Sequence, residues 1–229
     1  MNTNSNTYTI IYASVMVVIV AFLLAFVSDS LKSTQKKNED FDKMKQILSA
    51  LHIDASKSAD VQAEFDKYVK ADEIINSKAE VVEENGGFKV DVKAELAKSL
   101  ETRELPLYIC EVEGETKYVL PLFGNGLWNV IWGYVALNED KNTIYGVYFD
   151  HAGETPGLGA EISTPLFQDH FKNKIVMENG SVVLSVVKNG KVQHDQYEVD
   201  GITGGTITSQ GVDKMIKNCL DQYKTFLTK

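Results

Sequence analysis

Hydroxyls and glycines crowd together in Asp200-Gly201-Ile202-Thr203-Gly204-Gly205-Thr206-Ile207-Thr208-Ser209, directly ahead of a segment that reads as an amphipathic helix. That is a place for a phosphate. The helix is expected from about Gly211, because Val212, Met215, Ile216, Cys219, Leu220, Tyr223, Phe226 and Leu227 recur at three- and four-residue steps on one face. Ser209 or Thr208 is the expected N-cap. The first amides of a helix lack internal partners and sit at the positive end of its dipole, so an anion held there gains hydrogen bonds and a favourable field. Glycines let the backbone come close to it. Taken alone, a Thr-Gly-Gly-Thr turn before a helix is equally well a plain capped loop.

Asp200, Thr203, Gly204 and Thr206 resemble the flavinylation signature Asp-x-x-(Ser/Thr)-Gly-Ala-Thr, in which an FMN transferase esterifies the last threonine with the phosphate of FMN. The resemblance makes Thr206 the acceptor. Gly205 stands where that family usually has alanine, one methyl group fewer. Two other segments extend the likeness: Glu154-Thr155-Pro156-Gly157-Leu158-Gly159-Ala160, and Gly124-Asn125-Gly126-Leu127-Trp128 with Trp132-Gly133-Tyr134 shortly after. Together with one apolar N-terminal stretch, they are similar to the C subunit of the bacterial Na⁺-translocating NADH:quinone oxidoreductase over nearly the whole chain. The G subunit of the RNF electron-transport complex shares the Glu-Thr-Pro-Gly loop and the flavin threonine; the Gly-Leu-Trp element and the strand after it favour the quinone oxidoreductase.

The resemblance implies an electron relay with covalent FMN on Thr206. It implies cofactor contacts from Thr203, Gly204, Gly205, Ile207 and Thr208, from Glu154, Thr155, Leu158 and Gly159, and from Trp128, with Trp132 as the substitute aromatic. Thr203 and Thr208 would hydrogen-bond the phosphate or ribityl chain. Asp200 would be read by the transferase, and Glu154 also has a purely structural reading. Electrons would come from an iron–sulfur centre and pass to a second covalent FMN in the B subunit, within a six-subunit inner-membrane complex that includes the D and E subunits. No Gly-x-Gly-x-x-Gly fingerprint, Walker loop, serine–histidine–acid set or zinc motif is present, so this chain is not expected to bind NADH itself. A reading of another class is a membrane-tethered sensory or interaction module that binds FMN.

The net charge of −9 argues against nucleic acid, which demands clustered lysine and arginine. Two cysteines, Cys110 and Cys219, are too few for an iron–sulfur cluster and read first as buried small hydrophobes, with a disulfide permissible if the domain lies outside the cytoplasm. The four histidines, His52, His151, His170 and His194, show no metal-ligand spacing.

The elements that must position these residues follow from patterning. Tyr8 to Val27 carries no charge over about twenty residues, enough to span a bilayer. A cleaved signal peptide fits less well, since basic residues do not precede the run and no Ala-x-Ala site follows it. Lys32, Lys36, Lys37, Lys43 and Lys45 after the span would, by the positive-inside rule, put the domain in the cytoplasm. The family resemblance instead implies the periplasmic side, and Asp29, Glu39, Asp40 and Asp42 dilute those lysines. The expected organisation is a tail (1–7), a transmembrane helix (8–27), a linker with helical and charged decoration (28–104) and an FMN-binding domain (105–229). Residues 28–38 read as a polar linker, with helices near Phe41 to Leu51 and Val61 to Val69 and a hairpin broken at Asn85-Gly86-Gly87.

β-Branched and aromatic residues predict strands at Leu107–Glu111, Lys117–Leu122, Asn129–Leu137 and Thr143–Phe149. A short helix is expected from Ser163, and Val182–Val187 and Val192–Val199 read as a hairpin about Asn189-Gly190. The fold class is α+β, an antiparallel sheet flanked by helices on one side.

Overall fold

The computed structural model describes residues 5–229, and the chain divides into two units between Lys43 and Met44. Helix α1, Asn6–Ala50, runs through that boundary. From Ile10 to Val27 its large apolar side chains are exposed, and among the described residues it is the one helix long and apolar enough to cross a bilayer. The stretch 28–38, expected as a linker, is helical. Polarity alone does not end a helix, and no proline or glycine interrupts residues 6–50.

In the second unit, α2 (Val61–Tyr68) is capped by the Asp60 carboxylate, which accepts from the Ala63 amide. Strands β1 (Val69–Asn76) and β2 (Val81–Glu83) follow, then the single turn α3 (Val92–Leu96). The meander is β3 (Glu104–Val112), β4 (Glu115–Asn125), β5 (Val130–Leu137) and β6 (Ile144–His151). A 3-10 turn at Gly159–Ser163 leads into α4 (Pro165–Gln168), with Pro165 at the first helical position. The short strands β7 (Met177–Glu178), β8 (Ser181–Val182), β9 (Ser185–Val187) and β10 (Glu198–Asp200) precede α5 (Thr206–Gln222) and α6 (Lys224–Leu227).

The six-stranded sheet, ordered β2-β1-β3-β4-β5-β6, is antiparallel throughout, as the meander predicts. Its alternating side chains feed two cores. Leu107, Leu120, Leu122, Ile131 and Val135 pack with Val212, Met215, Ile216 and Leu220 of α5. Tyr108, Cys110, Val119, Tyr134 and Ala136 pack instead with Ile47 and Leu48 of α1 and Phe65 of α2. Helices therefore cover both faces rather than one, because a sheet with apolar residues at both parities must be buried on both sides. Cys110 and Cys219 belong to different cores, and both are free thiols.

Two turns differ from expectation. The β1–β2 hairpin closes within 77–80, while Asn85-Gly86-Gly87 is pinned to β1 by the Asp72 carboxylate, which accepts from the Gly86 and Phe88 amides. After Asn189-Gly190 the chain does not fold back as a hairpin; β9 and β10 pair in parallel, Val186 opposite Val199. Glu198 accepts from the Gln193 and His194 amides and Asp200 from the Gly190 amide, so side chains take the donors an antiparallel ladder would use.

The second core is tested by Leu48→Ala, where Leu48 is fully buried. Truncation there should cost about 2–5 kcal/mol in denaturant unfolding of the purified full chain. Leu23→Ala, on the exposed apolar stretch, should leave the unfolding midpoint of the domain unchanged.

Candidate functional site

Helix α5 begins at Thr206, earlier than the apolar periodicity suggested, because its first turn is polar or exposed and gives no hydrophobic signal. The N-cap is Gly205, not Ser209 or Thr208. Ser209 is buried and its hydroxyl accepts from the Ile202 amide at 2.9 Å, which ties the helix to the loop entering it. Gly205 has no side chain to cap with, so the first-turn amides of α5 have no side-chain acceptor and no acid nearby in the first turn. Thr206 itself is exposed at this end.

The preceding loop owes its path to Gly204, whose φ of +76° suits glycine and whose surface lies against the Leu158 side chain. A Cβ on Gly205 would lie 3.1 Å from Ile202 Cγ2, so the glycine in place of the family's alanine relieves a tight approach to Ile202. On the far side, Asn189 Nδ2 donates to the Thr203 hydroxyl, and the Gly190 amide donates to Asp200. The Asn189-Gly190 turn thus buttresses the hydroxyl loop, a role its sequence does not announce. Asp200 is held by that turn, at the end of β10.

Glu154 is the centre of the arrangement. Only 5 % exposed, it accepts from the Thr208 hydroxyl at 2.6 Å and from the Trp128 amide at 2.9 Å. Its own amide donates to His151 Nδ1. Burial alone would raise the carboxyl's pKa; the Thr208 hydroxyl and the amides of Trp128, Asn129 and Leu127 outweigh it and hold the group below its ordinary value. Two glycines make the room. A Cβ on Gly159 would sit 2.3 Å from Thr208 Oγ1, and one on Gly126 would sit 2.4 Å from Glu154 Oε1.

One carboxylate thereby joins three chain segments: the β4–β5 loop, the Glu154–Gly159 loop and the first turn of α5. These carry Leu127, Trp128, Leu158 and Ile207, all exposed large apolar side chains, with Trp128 69 % exposed. Exposed apolar groups gathered beside polar anchors mark a binding surface. Thr155 is exposed, and its carbonyl accepts from the Leu158 and Ala160 amides to close the loop. Thr208 faces inward to Glu154, so the hydroxyls presented outward are those of Thr203 and Thr206. Trp132 is elsewhere: its indole N–H donates to Gln46 at 3.2 Å, on the α1 side of the sheet. Leu127, Gly126, Asn189 and His151 join the site although the sequence alone assigns none of them a role toward the cofactor. Among the described residues no group of His, Cys, Asp or Glu is arranged to hold a metal ion.

Comparison with known proteins points the same way. A family model described as an FMN-binding domain matches residues 126–221. The crystal structure of the C subunit of Na(+)-translocating NADH-quinone reductase from Parabacteroides distasonis aligns with a TM-score of 0.80 at 43% identity, covering 87% of this chain and 98% of that one. The subunit of the same name from Haemophilus ducreyi is 29% identical, covering 94% of this chain and 90% of its own length. That from Pseudomonas aeruginosa is 29% identical, covering 99% of this chain and 96% of its own.

The Glu154 junction predicts a pH dependence. A carboxyl whose folded pKa lies below its ordinary value of 4.5 stabilises the fold above that value and loses the contribution as pH falls through the folded pKa. Thermal unfolding from pH 6 downward should show this loss in the wild type and lack that component in Glu154→Gln. At neutral pH the variant should be less stable by about 1–3 kcal/mol, having lost charged acceptors for buried donors.

Proposed function

The chain belongs to the C-subunit family of the Na⁺-translocating NADH-quinone reductases, and on that premise we propose that it is the complex's electron relay, holding FMN as a phosphoester on Thr206. The observation that carries this reading is the exposed Thr206 hydroxyl at an uncapped helix start, framed by exposed apolar side chains. The residues fit the cofactor at both of its ends. First-turn amides of α5 and the positive end of its dipole suit a phosphodiester, which keeps one negative charge where free FMN carries nearly two. Leu127, Trp128, Leu158 and Ile207 offer apolar surface to the isoalloxazine ring.

Bound FMN supplies reversible electron carriage, chemistry that no side chain here provides. Trp128 and Leu158 would orient the ring, Thr203 would hydrogen-bond the phosphate or ribityl chain, and Gly204, Gly205, Gly159 and Thr155 would shape the backbone around it. Thr208 and Glu154 hold the segments in place from beneath. Asp200, at the end of β10, is the residue the maturing transferase reads. A tether also fixes the local cofactor concentration, which suits a domain outside the cytoplasm where free FMN is dilute. On this reading, electrons would come from an iron–sulfur centre and pass to a covalent FMN of the B subunit, with the D and E subunits in the same assembly.

Thr206→Ala should abolish flavin fluorescence of this polypeptide on a denaturing gel, and Thr206→Ser, which keeps an acceptor hydroxyl, should retain it in part. A fluorescent band from the alanine variant would overturn the assignment. Orientation is tested separately. The native thiols are buried and pushed up to about 12 for Cys110 and about 11 for Cys219, so neither competes for a maleimide. Lys57→Cys, at an exposed position, should be labelled by a membrane-impermeant maleimide in intact spheroplasts. Labelling only after lysis would put the domain in the cytoplasm.

A further inference from the structure

A cleft of about 850 Å³ runs along α5 and lies outside the flavin surface. Its walls hold Lys93, Arg103, Lys214, Lys217 and Lys224 against a single acid, Asp221, in a chain whose net charge is −9. Lys217 is matched by Asp213 at 2.9 Å. Among the described residues, Lys93, Arg103, Lys214 and Lys224 form no ion pair with a carboxylate. Arg103 is fixed in place by neutral acceptors, the carbonyls of Glu95, Leu96 and Lys98 and the side chain of Gln222, so its charge is oriented but not cancelled. Between the cations the floor is apolar, with Phe123 and Met215.

We propose that this cleft docks an acidic, partly apolar segment of another subunit of the complex. The inference rests on reading the chain as one subunit among several. Charge complementarity selects an anionic occupant, since positive charge collected in one place on an acidic protein is steered toward negative surface. The spacing selects a chain segment over a small polyanion. From Lys214 to the end of α5 at Gln222 is about 12 Å at the rise of a helix, and Lys224 opens α6 beyond it, whereas a phosphate is held by donors converging on one point. Apolar surface between the charges favours a peptide with alternating acidic and apolar side chains. The near end of the cleft includes Asn125 and Gly211, whose backbones touch where β4 passes into the loop that carries Trp128. A segment seated there lies beside the flavin-bearing end of α5.

The test uses the whole complex purified through a tag on this chain. Lys214→Glu with Lys224→Glu should lower co-purifying partner subunits about tenfold or more, with flavin fluorescence of this chain unchanged, and Lys214→Arg with Lys224→Arg should keep them. In the unmodified complex a zero-length carbodiimide should join Lys214 or Lys224 to an Asp or Glu of another subunit, a readout independent of how the reversed variant folds. Intact assembly of the reversed variant, or cross-links that avoid both lysines, would overturn the proposal. Saturable binding of inorganic triphosphate by the full chain, lost on charge reversal while assembly persists, would make the occupant a small anion and overturn it too. If the unmodified chain brings down no partner at all, the subunit reading fails, and the docking proposal with it; a flavin adduct on Thr206 would survive that result.

Discussion

Everything at the candidate site depends on one buried carboxylate. Glu154 accepts from the Thr208 hydroxyl and the Trp128 amide, and so joins segments separated by many residues in the chain. A buried charge is tolerated only when hydrogen-bonded on all sides, and here the cost of burial is offset by donors from two other segments. The same requirement explains Gly126 and Gly159, since a Cβ at either position would occupy the space of the carboxylate or of its hydroxyl partner. The carboxylate is thus a positioning group. It sets where Trp128 and Thr206 stand relative to each other.

That junction needs a rigid base, which the sheet provides. Helix α5 crosses β4 at very close range; a Cβ on Gly124 would lie 2.7 Å from Met215 Cβ, and one on Gly211 would lie 2.5 Å from the Asn125 carbonyl. Small residues at the crossing let the helix lie flat, so its N-terminus is held by packing and does not depend on a capping side chain. Leaving the cap to Gly205 is consistent with a role for the first-turn amides toward an external anion. The other face of the sheet is closed by the end of α1 and by α2, so the helix that carries the apolar span contributes its last turns to the core of the domain.

Charge is distributed to match these roles. Over the whole chain acids exceed bases, which favours solubility of the domain. The helix start at Thr206 has no acid in its first turn, and the cleft along α5 collects most of the cations of that region around one acid. Both are local exceptions to the overall balance: the first is the start of α5, and the second runs from Gly211 along α5 to Lys224. One suits a covalently held phosphate and the other an acidic surface.

The sequence by itself determined the apolar span, the meander and the amphipathic last helix, because each is written in local periodicity of two or 3.6 residues and in the burial that periodicity demands. It also singled out which hydroxyl to propose as the acceptor, since Asp200, Thr203, Gly204 and Thr206 form one short signature. It misplaced the start of α5, where the first turn is either polar or exposed and carries no amphipathic signal, and it took Asn189-Gly190 for a hairpin when the Glu198 and Asp200 side chains claim the backbone donors. Only the tertiary structure decided that Trp128 stands at the site while Trp132 turns to Gln46, that Thr208 faces Glu154 rather than outward, and that scattered lysines line one cleft. The reason is physical: these outcomes depend on which residues distant in the chain meet across the sheet, and no local pattern encodes that meeting.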